Sequence, residues 1–265
     1  MTTISRLFIH PIKSCAAIEC QHVELGPRGP LLDRDWMLVD AQSGKFITQR
    51  KFPQMALIKP RMEGEDVVVS APGCEDLKLP KDGQKIPVTV WSDGVQGLDC
   101  GDEAAQWFSA YLNTDCRLVY QGDCERLADV DYAPKHTAVS FADGFPMLVI
   151  NQGSIDYLNE KCPQQHIAAE RFRANIVVSG AAAFSEEKWQ GLTTESVEMT
   201  VVKPCQRCVI PSIDPQTAEK NKAVMQVLLD ECRRNGKVYF GQNLVFNCKG
   251  ENILRVGDEI ELKSV

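Results

Sequence analysis

The stretch SVEMTVVKPCQRCVIPSIDP, residues 196–215, begins as a strand and ends as a loop bearing two cysteines. Val197, Met199 and Val201 alternate with Glu198 and Thr200, the two-residue period of a half-buried strand. Pro204, Pro211 and Pro215 then interrupt regular pairing around Cys205 and Cys208. Outward from here, short apolar runs dominate. TISRLFIH (3–10), WMLVD (36–40), EDVVVSA (65–71), IPVTVW (86–91) and LVY (118–120) read as strands, separated by turn signals such as GPRGP, AQSG and KDGQ. PMLVI (146–150), ANIVV (174–178), NLVFN (243–247), NILRV (252–256) and EIELK (259–263) continue the series. Three segments carry a helical period. DEAAQWFSAYL (102–112) sets Ala105, Phe108 and Leu112 on one face with Asp102 as its cap, and SIDYLNEKC (154–162) starts at a capping Ser154. In residues 218–236, Met225, Leu228, Leu229 and Cys232 form a face that Gly236 stops. DCERLADVDYAPKHT (123–137) is polar and aperiodic, a long connection near a domain boundary. Irregular strand spacing with few helices predicts a β-rich α+β fold, barrel-like rather than doubly wound.

Length, charge and cysteine use narrow the functions. A chain of 265 residues makes one large or two small domains with a sizeable core. A net charge of −7 argues against nucleic acid polymers or anionic membranes as main partners. No run approaches the ~20 apolar residues of a membrane span, and MTTISRLFIHPIKSC is not a signal peptide. The 11 cysteines are therefore expected as reduced thiols in a cytoplasmic protein.

Cys205 and Cys208 are then tested against metal templates. Structural zinc wants four ligands. The other cysteines form no second CxxC, and His10, His22, His136 and His166 are scattered. Cys15 and Cys20 have the first spacing of a plant-type iron–sulfur motif, but Val23 stands where its next cysteine belongs. A redox CxxC normally opens a helix, and none starts here, which leaves that reading open but poorly supported. The remaining reading is one thiolate, offered from a loop beside Arg207 to a soft metal.

KPCQRCVIPSIDPQT (203–217) resembles the signature of MOSC domains, which bind the molybdenum cofactor in the mitochondrial amidoxime-reducing component and in bacterial YcbX-type proteins. LFIHPIKSC (7–15), with Pro11, Lys13 and Ser14, and LLDRDWMLVD (31–40), with Arg34, resemble blocks of that family's N-terminal β-barrel domain. FADGFPMLVI (141–150), RFRANIVVSG (171–180), YFGQNLVFN (239–247) and RVGDEIEL (255–262) resemble MOSC blocks in the same order.

The resemblance implies an N-terminal β-barrel domain over 1–120 and a MOSC β-barrel domain with a few helices over 121–265, with the cofactor where they meet. It implies Cys208 as the catalytic metal ligand, and Lys13, Ser14, Arg34, Arg173, Asn175, Arg207 and Asn243 as further cofactor-binding residues. The chemistry agrees, because a pterin phosphate suits arginine forks and neutral hydrogen-bond donors. Plainer roles stand beside these: Lys13 as a solvated strand-end residue, Arg34 paired with Asp33 or Asp35, Arg171 or Arg173 at the surface, Asn175 and Asn243 capping turns. Cys205 reads as packing beside the site, and Asp214 as a bond to its own loop. The implied function is molybdenum-dependent reduction of small N-hydroxylated substrates, with electrons from a separate reductase or ferredoxin-like donor. No iron–sulfur cluster or pyridoxal phosphate is expected in this chain. The alternative is a sulfur or molybdenum-cofactor carrier using Cys208.

Overall fold

The computed structural model describes residues 1–264. Strand outweighs helix, 40% to 18%, so the β-rich α+β expectation holds. The largest sheet has nine strands. Its main path runs Glu261–Ser264, Trp189–Thr193, Val197–Gln206, Lys237–Cys248, Met147–Asn151, Ile176–Ser179, Thr3–Ile9 and Ile18–Cys20. Met147–Asn151 and Ile176–Ser179 pair in parallel, and helix α2 (Gln152–Lys161) lies in the crossover between them; α1 (Gly101–Leu112) precedes it in the chain and α3 (Lys222–Glu231) follows. Both parallel strands are apolar and buried almost throughout, as a strand covered on both faces requires.

The first strand of the chain belongs to this sheet. Thr3–Ile9 pairs antiparallel with Ile176–Ser179, and Thr3 lies opposite Ser179. A second, four-stranded antiparallel sheet is ordered Trp36–Asp40, Cys116–Tyr120, Asp93–Asp99 and Gln84–Val90. Its core gathers Trp36, Leu38, Leu118 and, from α1, Phe108. Fully burying side chains of this size contributes ~1.5–3 kcal/mol each. On the large sheet, α2 and α3 cover a core that includes Leu158, Leu228 and the stacked rings of Phe172 and Phe240, 4.1 Å apart.

Several local expectations change. Asp102 lies inside the first turn of α1, where Arg117 bonds it at 3.0 Å, and Asp99 instead accepts from the Gly101 amide. The cap of α2 is Asn151; Ser154 is buried and bonds Glu186 at 2.8 Å. Of the face expected on α3, Leu228 is buried, Met225 packs against the same core and Cys232 is buried just after the helix, but Leu229 is exposed and Val224 and Val227 take its place; Asn221 caps the start. Gly236 does not stop α3. It follows Asn235 in the tight turn of a hairpin between Arg233–Arg234 and Lys237–Cys248, and both residues have positive φ, the conformation Asn-Gly turns favour. Trp91 is in a turn rather than at the end of a strand.

Gly241 interrupts Lys237–Cys248 at φ +80°, and a β-carbon there would meet the Val149 carbonyl and Ile150 Cγ2, each at 2.7 Å. Gly241→Ala therefore incurs both left-handed strain and overpacking. The expected loss is ~2–4 kcal/mol, read as a lower urea midpoint at unchanged slope. A loss under ~1 kcal/mol would show that the neighbouring strand yields.

Candidate functional site

Lys13, Ser14, Arg34, Arg173, Asn175, Arg207, Cys208 and Asn243 all line one cavity of about 400 Å³. They come from five parts of the chain. Lys13 and Ser14 follow strand Thr3–Ile9, and Arg34 precedes Trp36–Asp40. Arg173 and Asn175 lie between a short 3-10 helix, Ala169–Phe172, and strand Ile176–Ser179. Arg207 and Cys208 follow Val197–Gln206, and Asn243 sits within Lys237–Cys248. Ser14, Arg34 and Arg173 have φ of 69°, 55° and 56°. Non-glycine residues held there cost about 1 kcal/mol or more each, a strain that clusters at functional sites.

The cations are anchored mainly by neutral acceptors. Arg34 bonds Asp33, the Arg173 carbonyl at 2.7 Å and Asn175 Oδ1 at 3.2 Å. Its pairing with Asp33 and its place in the cavity thus coexist. Arg173 donates to the Cys15 carbonyl at 2.6 Å. Lys13, only 5% exposed, donates to the Phe141 carbonyl at 2.8 Å and to Asp143 at 2.5 Å, so it is no solvated strand-end lysine. Burial pushes its ammonium pKa down to about 8 in spite of Asp143. Burial and then the neighbouring Arg34 charge lower Arg173 to about 10. The same causes hold buried His10 well below its usual value. Burial raises the Cys15 thiol to about 12, which leaves it inert.

Other sequence expectations are redirected. Arg207 donates to Cys205 Sγ at 3.0 Å and to the Phe172 carbonyl at 2.8 Å, so its charge sits beside the first cysteine of the pair. Cys205 and Cys208 both line the cavity, and Cys205 also packs against the apolar core. Arg171 and Arg173 do not share a face, because the 3-10 turn and the positive φ at 173 separate them. Arg171, 3% exposed, bonds the Pro211 and Ile213 carbonyls and Asp214 at 2.5 Å, fixing the loop after Cys208. Asp214 also accepts from the Gln216 and Thr217 amides, as its loop role predicts. Asn175 is buried and joins Arg34, the Leu148 amide and the Phe8 carbonyl rather than capping a turn. Asn243 donates to the Lys203 carbonyl across the sheet.

Sequence reasoning missed Arg50, Trp91 and Asp143, which line the same cavity. It also missed Arg126, 6% exposed, which bonds the carbonyls of Ser140, Ala142 and Asp143 and so holds that wall. The one local signal was a lone arginine in a connection with four acidic residues, Asp123, Glu125, Asp129 and Asp131.

Residues 1–115 match the MOSC N-terminal beta barrel domain, and residues 136–261 match the MOSC domain. This chain belongs to the MOSC family. Mitochondrial amidoxime reducing component 2 of Bos taurus is 35% identical over 81% of this MOSC chain and 67% of its own. Mitochondrial amidoxime-reducing component 1 of Mus musculus is 30% identical over 98% and 82%. Molybdenum cofactor sulfurase of Danio rerio is 32% identical over 90% of this chain, which spans only 31% of that protein. Among solved structures, the YuaD protein of Bacillus subtilis aligns over 100% of this chain and 97% of its own, at 14% identity and a TM-score of 0.43. Among the described residues, no helix is long and apolar enough to cross a membrane.

The depressed pKa of Lys13 gives this MOSC protein a pH signature. Between about 8 and the usual 10.5 the unfolded chain binds the proton and the folded chain does not, so stability rises with pH in that window. The stability of the native protein minus that of Lys13→Met should therefore climb with pH, by up to ~1.4 kcal/mol per unit. Urea titrations from pH 7 to 10.5 check this. A flat difference would mean that Lys13 keeps an ordinary pKa.

Proposed function

We propose that this chain binds a molybdenum pterin cofactor in the cavity and reduces small N-hydroxylated substrates in the cytoplasm, with electrons from a separate reductase or ferredoxin-like donor. The observation that carries this reading is the convergence of a thiol and several cations, from five parts of the chain, on one cavity of about 400 Å³. The kinship with amidoxime-reducing components supports the substrate class.

The residues present fit such a group. Arg173 Nη2 and Arg207 Nε are buried donors without a partner among the described residues, which suits an anionic ligand rich in acceptors. Cys208 would offer its thiolate to the metal. Lys13, Arg34, Arg173 and Arg207 would face the phosphate and pterin, and Ser14 and Asn243 would add neutral contacts. Asn175 would act chiefly by holding Arg34. When bound, the cofactor would supply the two-electron redox chemistry. The fold supplies the thiolate, the fixed charges and the wall held by Arg126. The overall reduction consumes two electrons and two protons and releases water.

A second reading, a carrier of sulfur or cofactor, is favoured by the sulfurase match over 90% of the chain and by the two thiols in one cavity. Cys208→Ser should lose nearly all bound molybdenum and reduction of benzamidoxime, whereas Cys205→Ser should keep most of both. Metal analysis and single-turnover assays measure this. Equal losses would point to a two-cysteine site, and sulfane sulfur on Cys208 without molybdenum would favour the carrier.

The need for a donor gives a further expectation. Molybdenum-loaded protein should be inert with NADH alone and active with reduced viologen. Turnover with NADH alone would remove the separate donor from the reading.

A further inference from the structure

Arg50 differs from the other cations of the cavity. Lys13, Arg34, Arg173 and Arg207 each donate side-chain hydrogen bonds to protein acceptors. The Arg50 guanidinium has no hydrogen-bond or ion-pair partner among the described residues, although it lines the cavity. Its contact is the face of Trp91, with the guanidinium carbon 4.6 Å from the ring centroid. Its backbone amide bonds Thr48 Oγ1 at 3.3 Å.

The platform under it is unusual. Val90 pairs with Asp93, so Trp91 and Ser92 form a two-residue hairpin loop. The first position of such a loop calls for positive φ and is normally glycine, asparagine or aspartate. Here it is tryptophan at φ 57°, with the residue 45% exposed. A bulky side chain in that conformation is a true outlier, and a strained residue of this kind points to function. Trp91 is also fixed from other sides. Its ring lies 5.0 Å from Phe46, and its Nε1 donates to Asp143 at 3.3 Å. Asp143 in turn is engaged by Lys13 at 2.5 Å. The hairpin tip thus holds one guanidinium by its face, and its edge makes no hydrogen bond among the described residues, although the nearby Asp143 carboxylate feels its charge.

We propose that Arg50, held on Trp91, is an anion-binding residue that takes a phosphate or carboxylate group of the ligand at the exposed side of the cavity. A planar guanidinium with its fork unused matches such a group in bidentate geometry. The anion has two sources, the phosphate of a bound pterin or a charged group on the substrate. The second source rests on the reductase reading; anion binding itself does not.

The test starts with the cofactor-free chain titrated with inorganic phosphate by calorimetry, with tryptophan fluorescence as a second signal. Arg50→Gln should weaken phosphate binding roughly 10- to 100-fold, the range of one charged hydrogen-bonded contact. Arg50→Lys should fall between, and Trp91→Gly should weaken binding although it removes a strained side chain. Near-UV dichroism and melting temperature establish that each variant is folded. Two further measurements separate the sources. Less pterin per chain in Arg50→Gln assigns the anion to the cofactor. Full pterin with a raised KM for carboxylated benzamidoxime, but not for benzamidoxime, assigns it to the substrate. Absence of phosphate binding by the native chain, or equal affinity in native, Arg50→Gln and Trp91→Gly proteins, overturns the proposal.

Discussion

The site depends on the antiparallel pairing of Thr3–Ile9 with Ile176–Ser179. That pairing brings the first strand of the chain into the sheet of its second half, and the loop after it carries Lys13 and Ser14 to the cavity. Asn175, at the end of the ladder, completes the junction. One side-chain amide donates to Phe8 and accepts from Leu148 and Arg34. A buried amide with three partners is costly to disturb, because losing one partner leaves the others unsatisfied. The relative position of the cysteine loop and the N-terminal cations is thus fixed by backbone pairing and one buried side chain. A flexible linker between two independent halves would not hold charges at fixed separation.

Much of this was legible in the residues, for identifiable reasons. Val197, Met199 and the continuous apolar run 146–150 report a strand period directly, because burial on one or both faces selects them. Lys13, Arg34 and Cys208 were reachable through ordered blocks of resemblance, and the fold brings them to one cavity. What stayed hidden was long-range. Arg126 lies in a stretch without periodicity, and its role arises only where the chain returns at 140–143. Arg50 and Trp91 are 41 positions apart and meet across a loop and a hairpin tip. Gly236 was misread because a helix stop and the second residue of a hairpin turn select the same amino acid for the same positive φ. The Arg207–Cys205 contact follows from where Phe172 takes the guanidinium, which adjacency in sequence does not specify.

The cavity's charges also explain why the fold tolerates so many cations in one place. Burial and mutual repulsion with Arg34 lower the Arg173 pKa, so the bare site works against itself. Backbone carbonyls of Phe141, Arg173, Cys15 and Phe172 absorb much of this by accepting from the cations without adding negative charge. Carboxylates at those positions would neutralise the site and remove its attraction for an anion. Asp143, the carboxylate that does line the cavity, is tied to Lys13 and Trp91. An anionic ligand would relieve the repulsion that remains, so its binding energy would include a stabilisation of the folded chain.

The acidic surface and the cationic cavity then act at different ranges. A net charge of −7 would repel anions at a distance in pure water. At physiological ionic strength the screening length is ~8 Å, so an anion inside the cavity responds mainly to the charges lining it. Polyanions such as nucleic acid contact a wide surface and meet the overall negative charge. A small ligand that enters the cavity meets Lys13, Arg34, Arg50, Arg173 and Arg207 instead. On the proposed reading, preference for a small anion over a polymer would follow from gathering these cations in one cavity of about 400 Å³ rather than spreading them over the surface.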